Sequence, residues 1–272
     1  MRPLLTAAIG LLLCTFNLAA QTVSDVSPPP GWKLVWADEF DQPGAPDPTK
    51  WVYEKGHVRN NEAQYYTDNR RENVRVENGC LIIEARQDSM PLPNGKIARI
   101  TSGAIETRGK ASWEYGRIEV RAKIPEGRGT WPAIWMMPED HSAGWPACGE
   151  IDIMESVGFQ PDVIHQTIHT KAANHINRKA HGTQTPVKDL GDGFHIYAMQ
   201  WDAKKMEMFI DGQQTFSFEN DGAGPDVWPF DKPFYMILNL AIGGTWGGQK
   251  GIDPTIFPCK MEVDYVRAYG HR

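Results

Sequence analysis

The chain has 272 residues, with 28 Lys and Arg against 34 Asp and Glu for a formal charge of −6, and 41% of its residues are hydrophobic. That acidic balance excludes a nucleic-acid partner, because binding phosphate requires clustered cations. The length suits one all-β domain with a sizeable core and demands no second one, and without a CxxC pair a zinc-cysteine site is excluded as well.

Residues 1–20 carry Arg2, an apolar run from Leu4 to Leu13, and Ala19 and Ala20 ahead of Gln21. This is the pattern of a cleaved export signal, and the run is too short to cross a bilayer. Cys14 raises a lipoprotein alternative, but the bulky Leu13 stands where a small residue is expected. Cleavage removes Arg2 alone and leaves 27 Lys and Arg against 34 Asp and Glu, a formal charge of −7. The mature protein is expected to be secreted or periplasmic, with no membrane attachment. Cys80, Cys148 and Cys259 allow at most one disulfide, whose pairing sequence does not specify. Residues 21–31 (QTVSDVSPPPG) form a polar, Pro-rich lead-in, and a single folded domain is expected over residues 32–272.

Strand signals fill the domain. In Arg117–Ile124, Ile118, Val120, Ala122 and Ile124 alternate with charged residues, the period of a sheet with one buried face. In GTWPAIWMMP an extended backbone places Trp131 and Trp135 on one face. KMEMFIDG (205–212) alternates and ends in Asp-Gly, a hairpin signal. FYMILNLAIGG (234–244) is nearly continuously apolar and reads as a strand buried on both faces. No long amphipathic helix and no internal repeat interrupts this series, so the expected architecture is an antiparallel β-sandwich.

The chemistry concentrates in GEIDIMES (149–156). Glu150 and Asp152 share one strand face, and a regular pleat would turn Glu155 away from them. A one-residue bulge near Ile153 and Met154 restores Glu155 to the acidic face. The next segment, VIHQTIHT (163–170), sets His165, Thr167 and His169 on one face. In a hairpin, the pairs Glu150/His169 and Asp152/Thr167 have equal residue-number sums, while Glu155/His165 exceeds that sum by one, as a single inserted residue requires. Three carboxylates on one face repel each other, but a retaining glycosidase needs two of them about 5–5.5 Å apart, one as nucleophile and one as acid. A third acid between them raises a partner's pKa. Spacing alone does not divide the roles. A metal site on His165 and His169 is the rival reading, with no clear third ligand.

The segments WADEFD, NNEAQYYT, YGRIEVRAKIP, GTWPAIWMMP, GEIDIMES, FHIYAMQWD, IDG, FYMILNLAIGGTWGG and MEVDYVRAY, in that order, resemble glycoside hydrolase family 16 and within it the bacterial laminarinase-like β-1,3-glucanases. The resemblance implies a concanavalin A-like jelly-roll sandwich whose concave sheet forms a glycan cleft. It implies Glu150 as nucleophile, Asp152 as assisting acid and Glu155 as general acid/base, with Met154 as the additional residue that separates the laminarinase pattern from the shorter lichenase one. It places Trp131, Trp145, Trp246 and His169 at the cleft, leaves Trp135 as cleft or core, and calls for a sugar-binding asparagine at Asn60 or Asn61. No catalytic cofactor is implied. A structural calcium on the convex side is, at Glu39, the carbonyl of Gly79, and Asp264, with hard oxygen ligands. The expected partner is a β-glucan, cut by a monomer. Ala104 stands where many laminarinases have arginine, which bears on the distal subsites. The alternatives are a galactan hydrolase of the agarase or carrageenase type, a transglycosylase, or a non-catalytic glycan-binding module.

Overall fold

A computed structural model describes residues 28–271. The expected signal (1–20) and residues 21–27 of the lead-in lie outside the described residues. In chain order the first strands are β1 (Trp32–Asp38), β2 (Val52–Tyr53), β3 (Tyr65–Tyr66), β4 (Val74–Glu77), β5 (Cys80–Pro91), β6 (Ile97–Ser102), β7 (Ala104–Glu106), β8 (Gly116–Lys123) and β9 (Thr130–Pro138). There follow β10 (Glu150–Glu155), β11 (Val163–His169), β12 (His181–Pro186), β13 (His195–Trp201), β14 (Lys205–Ile210), β15 (Gln213–Glu219), β16 (Phe234–Ile242) and β17 (Cys259–His271). The one helical element among the described residues is a short 3-10 turn, Pro254–Ile256.

Two sheets result. The inner sheet runs β12-β11-β10-β9-β16-β7-β2, and the outer sheet runs β15-β14-β13-β8-β17-β5-β6-β3, with β1 beside β17 and β4 beside β5. Every pairing is antiparallel except β3 with β6. This is the expected jelly-roll sandwich.

The alternation of β8 works as its residue types dictate. Ile118, Val120 and Ala122 are fully buried between the sheets, against Ile134, Met136, Ile151 and Leu238 of the inner one. Each such isoleucine or valine contributes about 1.5–3 kcal/mol on leaving water, and the alanine less. β14 buries Met206, Met208 and Ile210 in the same way. Asp211 (φ 49°) and Gly212 (φ 78°) then reverse the chain with the two left-handed residues that a tight hairpin needs. All nine residues of β16 are buried. Met236, Leu238, Leu240 and Ile242 enter the core, while Tyr235, Ile237 and Ala241 pack on the opposite face beneath Trp135, Trp145, Trp131 and Trp246. The strand is two-sided because the cleft floor on its outer face is itself roofed by aromatic side chains. Cys80, Cys148 and Cys259 are all unpaired.

Candidate active site

A cleft of about 770 Å³ lies on the outer face of the inner sheet, and all six polar residues expected on β10 and β11 line it. The pairings are Glu150 with His169, Asp152 with Thr167 and Glu155 with His165, and the register shifts between Asp152 and Glu155. Against β9 the shift lies between Asp152 and Met154, which locates the inserted residue at Ile153. Ile153 and Met154 both turn into the core, with no exposed surface. That double inward turn returns Glu155 to the cleft.

Each glutamate is held by a tryptophan. Trp145 Nε1 donates to Glu150 Oε2, and Trp131 Nε1 donates to Glu155 Oε1 at 2.9 Å. The two rings expected at the cleft therefore also orient the acids. Trp246 stands edge-on to Trp131, with ring centroids 5.5 Å apart, and edge-on to His165 at 4.8 Å. Asp152 is 2% exposed and His169 7%. His169 Nε2 lies 3.3 Å from Asp152 Oδ2, yet Asp152 Oδ2 and His169 Nδ1 make no hydrogen bond.

Burial governs the titration of all three acids. It lifts the Glu150 carboxyl to about 8, with the Asp152 charge adding to the effect and His169 and the Trp145 N–H opposing it. Asp152 is lifted to about 7 by burial, against its hydrogen bond with Glu150. Glu155 is pushed well above the usual carboxylate range by burial and then by Asp152. Three adjacent carboxyls do not all ionise at neutral pH. Burial holds Glu155 toward its protonated form, while Glu150 and Asp152 titrate together as a hydrogen-bonded pair.

Among the other expected sugar-binding residues, Asn60 lines the cleft and Asn61 does not. Both have positive φ, 54° and 51°, and two successive left-handed residues send their side chains different ways. Asn60 Nδ2 reaches Glu62 Oε1 at 3.3 Å. Trp135 belongs to the cleft, donating from Nε1 to Asn239 Oδ1 at 2.7 Å.

Three titratable cleft residues escaped the sequence reading, Arg59, Glu62 and His175. Arg59 lies over the Trp135 ring, 4.9 Å from its centroid, and pairs with Glu54. Glu62 is buried between Gln64, Tyr66 and Asn60 and is raised in pKa chiefly by burial. His175 packs tilted against Trp145, with ring centroids 4.9 Å apart. Its loop is fixed by Asn174, which donates to the Thr170 carbonyl and accepts from the amides of Ile176 and Asn177. Glu62 is legible in NNEAQYYT, two residues beyond Asn60. Arg59 and His175 lie in loops with no periodicity to announce them.

On the outer sheet, both oxygens of the Glu39 carboxylate accept from Arg267, at 2.8 and 2.7 Å. Arg121 takes Asp264 Oδ2. The expected set of Glu39, the carbonyl of Gly79, and Asp264 therefore offers a cation only the oxygens that these arginines leave over. Those are hard oxygens of the kind calcium takes. Among the described residues, one His/Cys/Asp/Glu group has donor atoms close enough for a single ion, and it is Glu150, Asp152 and His169 of the cleft. The His165/His169 pairing gains no third ligand of its own, because His165 instead meets Gln160 Oε1 at 3.1 Å.

The family model of glycosyl hydrolases family 16 matches residues 61–267. The chain belongs to glycoside hydrolase family 16. It is 50% identical over 250 residues to a β-glucanase of Rhodothermus marinus, covering 88% of this chain and 86% of that protein. The crystal structure of the Rhodothermus marinus laminarinase superposes with a TM-score of 0.84 at 50% identity, covering 89% of this chain and 98% of that one. SCLam, a non-specific endo-β-1,3(4)-glucanase of the same family, superposes with a TM-score of 0.85 at 50% identity, over 91% of this chain and 94% of the other. Family 16 members hydrolyse glycosidic bonds with retention, and the acid set on β10 is the part of this fold with the chemistry to do so.

Proposed function

We infer that this protein is an exported endo-β-1,3-glucanase that acts on laminarin-type chains and tolerates mixed β-1,3-1,4 linkages. The observation that carries the reading is the bulged β10, which sets Glu150, Asp152 and Glu155 on one cleft face with a tryptophan donor on each glutamate. The relatives support the substrate class. One is named a β-glucanase, and a SCLam variant holds 1,3-β-D-cellobiosyl-glucose at its active site.

Glu150 attacks the anomeric carbon as its proton settles on Asp152, leaving a carboxylate steadied by the Trp145 N–H and the Asp152 hydroxyl. Glu155, protonated, gives its proton to the departing glycosidic oxygen. It then takes one from water, which opens the glycosyl-enzyme ester from the same side and restores the starting configuration. The raised pKa of Glu155 keeps an acid available near neutrality. Every group used belongs to one chain, so a monomer suffices. A calcium ion at Glu39, the carbonyl of Gly79, and Asp264 would tie β17 to the strand ends beside it and add stability, outside the reaction.

A sulfated galactan is the competing substrate, since a keratan-sulfate endo-1,4-β-galactosidase of Sphingobacterium multivorum is 36% identical over 242 residues. The cleft disfavours it. Arg59 is the one Lys or Arg on the lining among the described residues, and Glu54 already pairs with it. The deciding experiment is reducing-end release from laminarin, lichenan, agarose, carrageenan and keratan sulfate, with the product anomer followed by NMR. Laminarin should lead with a β product. An α product, or a sulfated galactan in first place, refutes the assignment.

A further inference from the structure

The bulge that delivers Glu155 to the cleft leaves an unpaired stretch of main chain on β10. Against β9 the pairing steps from Asp152/Trp135 to Met154/Ile134, passing over Ile153. Against β11 it steps from Asp152/Thr167 to Glu155/His165, so Ile153 and Met154 together face Gln166. The Ile153 carbonyl is thus left outside the regular ladder, where a buried oxygen without a partner is costly.

Gln166 supplies that partner. Its side chain alternates away from His165 and Thr167, enters the core with 0% exposure, and donates from Nε2 to the Ile153 carbonyl at 3.0 Å. The far end of the amide is used as well, because Thr215 Oγ1 donates to Gln166 Oε1. Thr215 sits on β15 at the edge of the outer sheet, and it is itself a bulged residue. There the pairing steps from Met208/Phe216 to Phe209/Gln214 and passes over Thr215. One amide therefore connects the inserted residue of one sheet to the inserted residue of the other.

We propose that Gln166 and Thr215 form a strut that holds the β10 bulge at Ile153 and so fixes the position of Glu155, making both of them positioning residues for the acid/base step. Simple space filling does not account for the pair. A methionine would occupy the same volume without bringing an amide into an apolar layer, where its cost is offset only if both ends are bonded. The strand also has a competing form, a regular pleat that turns Met154 to the cleft and Glu155 to the core. The Gln166 bond to Ile153 exists only in the bulged form, so it selects the arrangement in which the acid faces substrate.

The inference rests on Glu155 acting as the acid/base, and the test separates the two claims. In the full chain, Gln166→Met should lower kcat about 10- to 100-fold through misplacement of Glu155, with KM changed less than about twofold. Its basic pH limb should move down as the freed carboxyl gains solvent. Thr215→Val should lower kcat less, and Thr215→Ser should restore it. The double variant should be no worse than Gln166→Met alone, since both break one unit. A folded Gln166→Met protein with the kcat and pH limbs of the unmodified chain overturns the proposal. If that variant does not fold, a folded Thr215→Val protein with unchanged kcat overturns it equally. Should the unmodified chain cut no polysaccharide, the functional reading has failed instead. Hydrogen exchange of the peptide 150–156, measured without substrate, then judges the strut: faster exchange in Thr215→Val with recovery in Thr215→Ser supports it, and equal protection refutes it.

Discussion

Replacing Trp145 by phenylalanine keeps an aromatic face beside His175 and His169 while deleting the N–H that Glu150 Oε2 accepts. A hydrogen bond to a charged group contributes about 1.5–3 kcal/mol, and about 1.4 kcal/mol corresponds to one pKa unit. Glu150 is half-buried, so solvent screening sets the expectation at the lower end, about one unit. The bond holds the Glu150 pKa down, so its loss raises that pKa. Ionised Glu150 is the reactive form, and the acidic limb of the kcat/KM profile should therefore move up by about one unit, a loss of about tenfold on the acid side. Trp131→Phe acts on the other glutamate. Its N–H lowers the Glu155 pKa, so removing it raises the pKa of a group needed in protonated form, and the basic limb should extend to higher pH. Reducing-end assays on laminarin across pH read both limbs. An acidic limb left in place by Trp145→Phe, or both substitutions moving the same limb, refutes these roles for the two indole N–H groups.

Stability should follow the same acids. Between the ordinary carboxylate range and about 7–8, the folded site binds protons that the unfolded chain has released, so stability falls as pH rises through that window. Glu150→Gln removes part of this penalty, on the order of 2 kcal/mol, and should raise Tm at pH 8 by about 4–8 °C. The gain should vanish near pH 4, and equal melting at pH 8 would exclude a strained acid cluster. Asn60→Ala should raise KM for laminarin at least about threefold, by loss of a hydrogen bond of about 1 kcal/mol, whereas Asn61→Ala should leave it unchanged; matched effects would contradict the cleft assignment. Calcium at 100 times its Kd should stabilise the protein by about 2.7 kcal/mol relative to EDTA, seen as a higher Tm that Asp264→Ala removes. A Tm indifferent to calcium would remove that ion from the protein.

Sequence by itself determined the features governed by local period and spacing. The alternation of Ile118, Val120 and Ala122 placed β8 and its buried face, and Asp211-Gly212 specified a hairpin. The offset between the acids on β10 and the histidines on β11 required a bulge, which lies at Ile153. These follow from backbone geometry, where a side-chain period of two leaves few alternatives. Tertiary structure alone decided which side chains meet across distant segments. Asn60 rather than Asn61 enters the cleft because of how the loop ahead of β3 meets the inner sheet. Arg59 finds Trp135 across a gap of 76 positions in the chain, and His175 reaches Trp145 from the far side of β11. Trp131 and Trp145, legible in sequence only as cleft residues, prove to hold the two glutamates. Gln166 shows the division most clearly. In VIHQTIHT it is a polar residue on the apolar face and looks like an interruption, and it gains a purpose only when folding sets the Ile153 carbonyl at one end of its amide and Thr215 at the other.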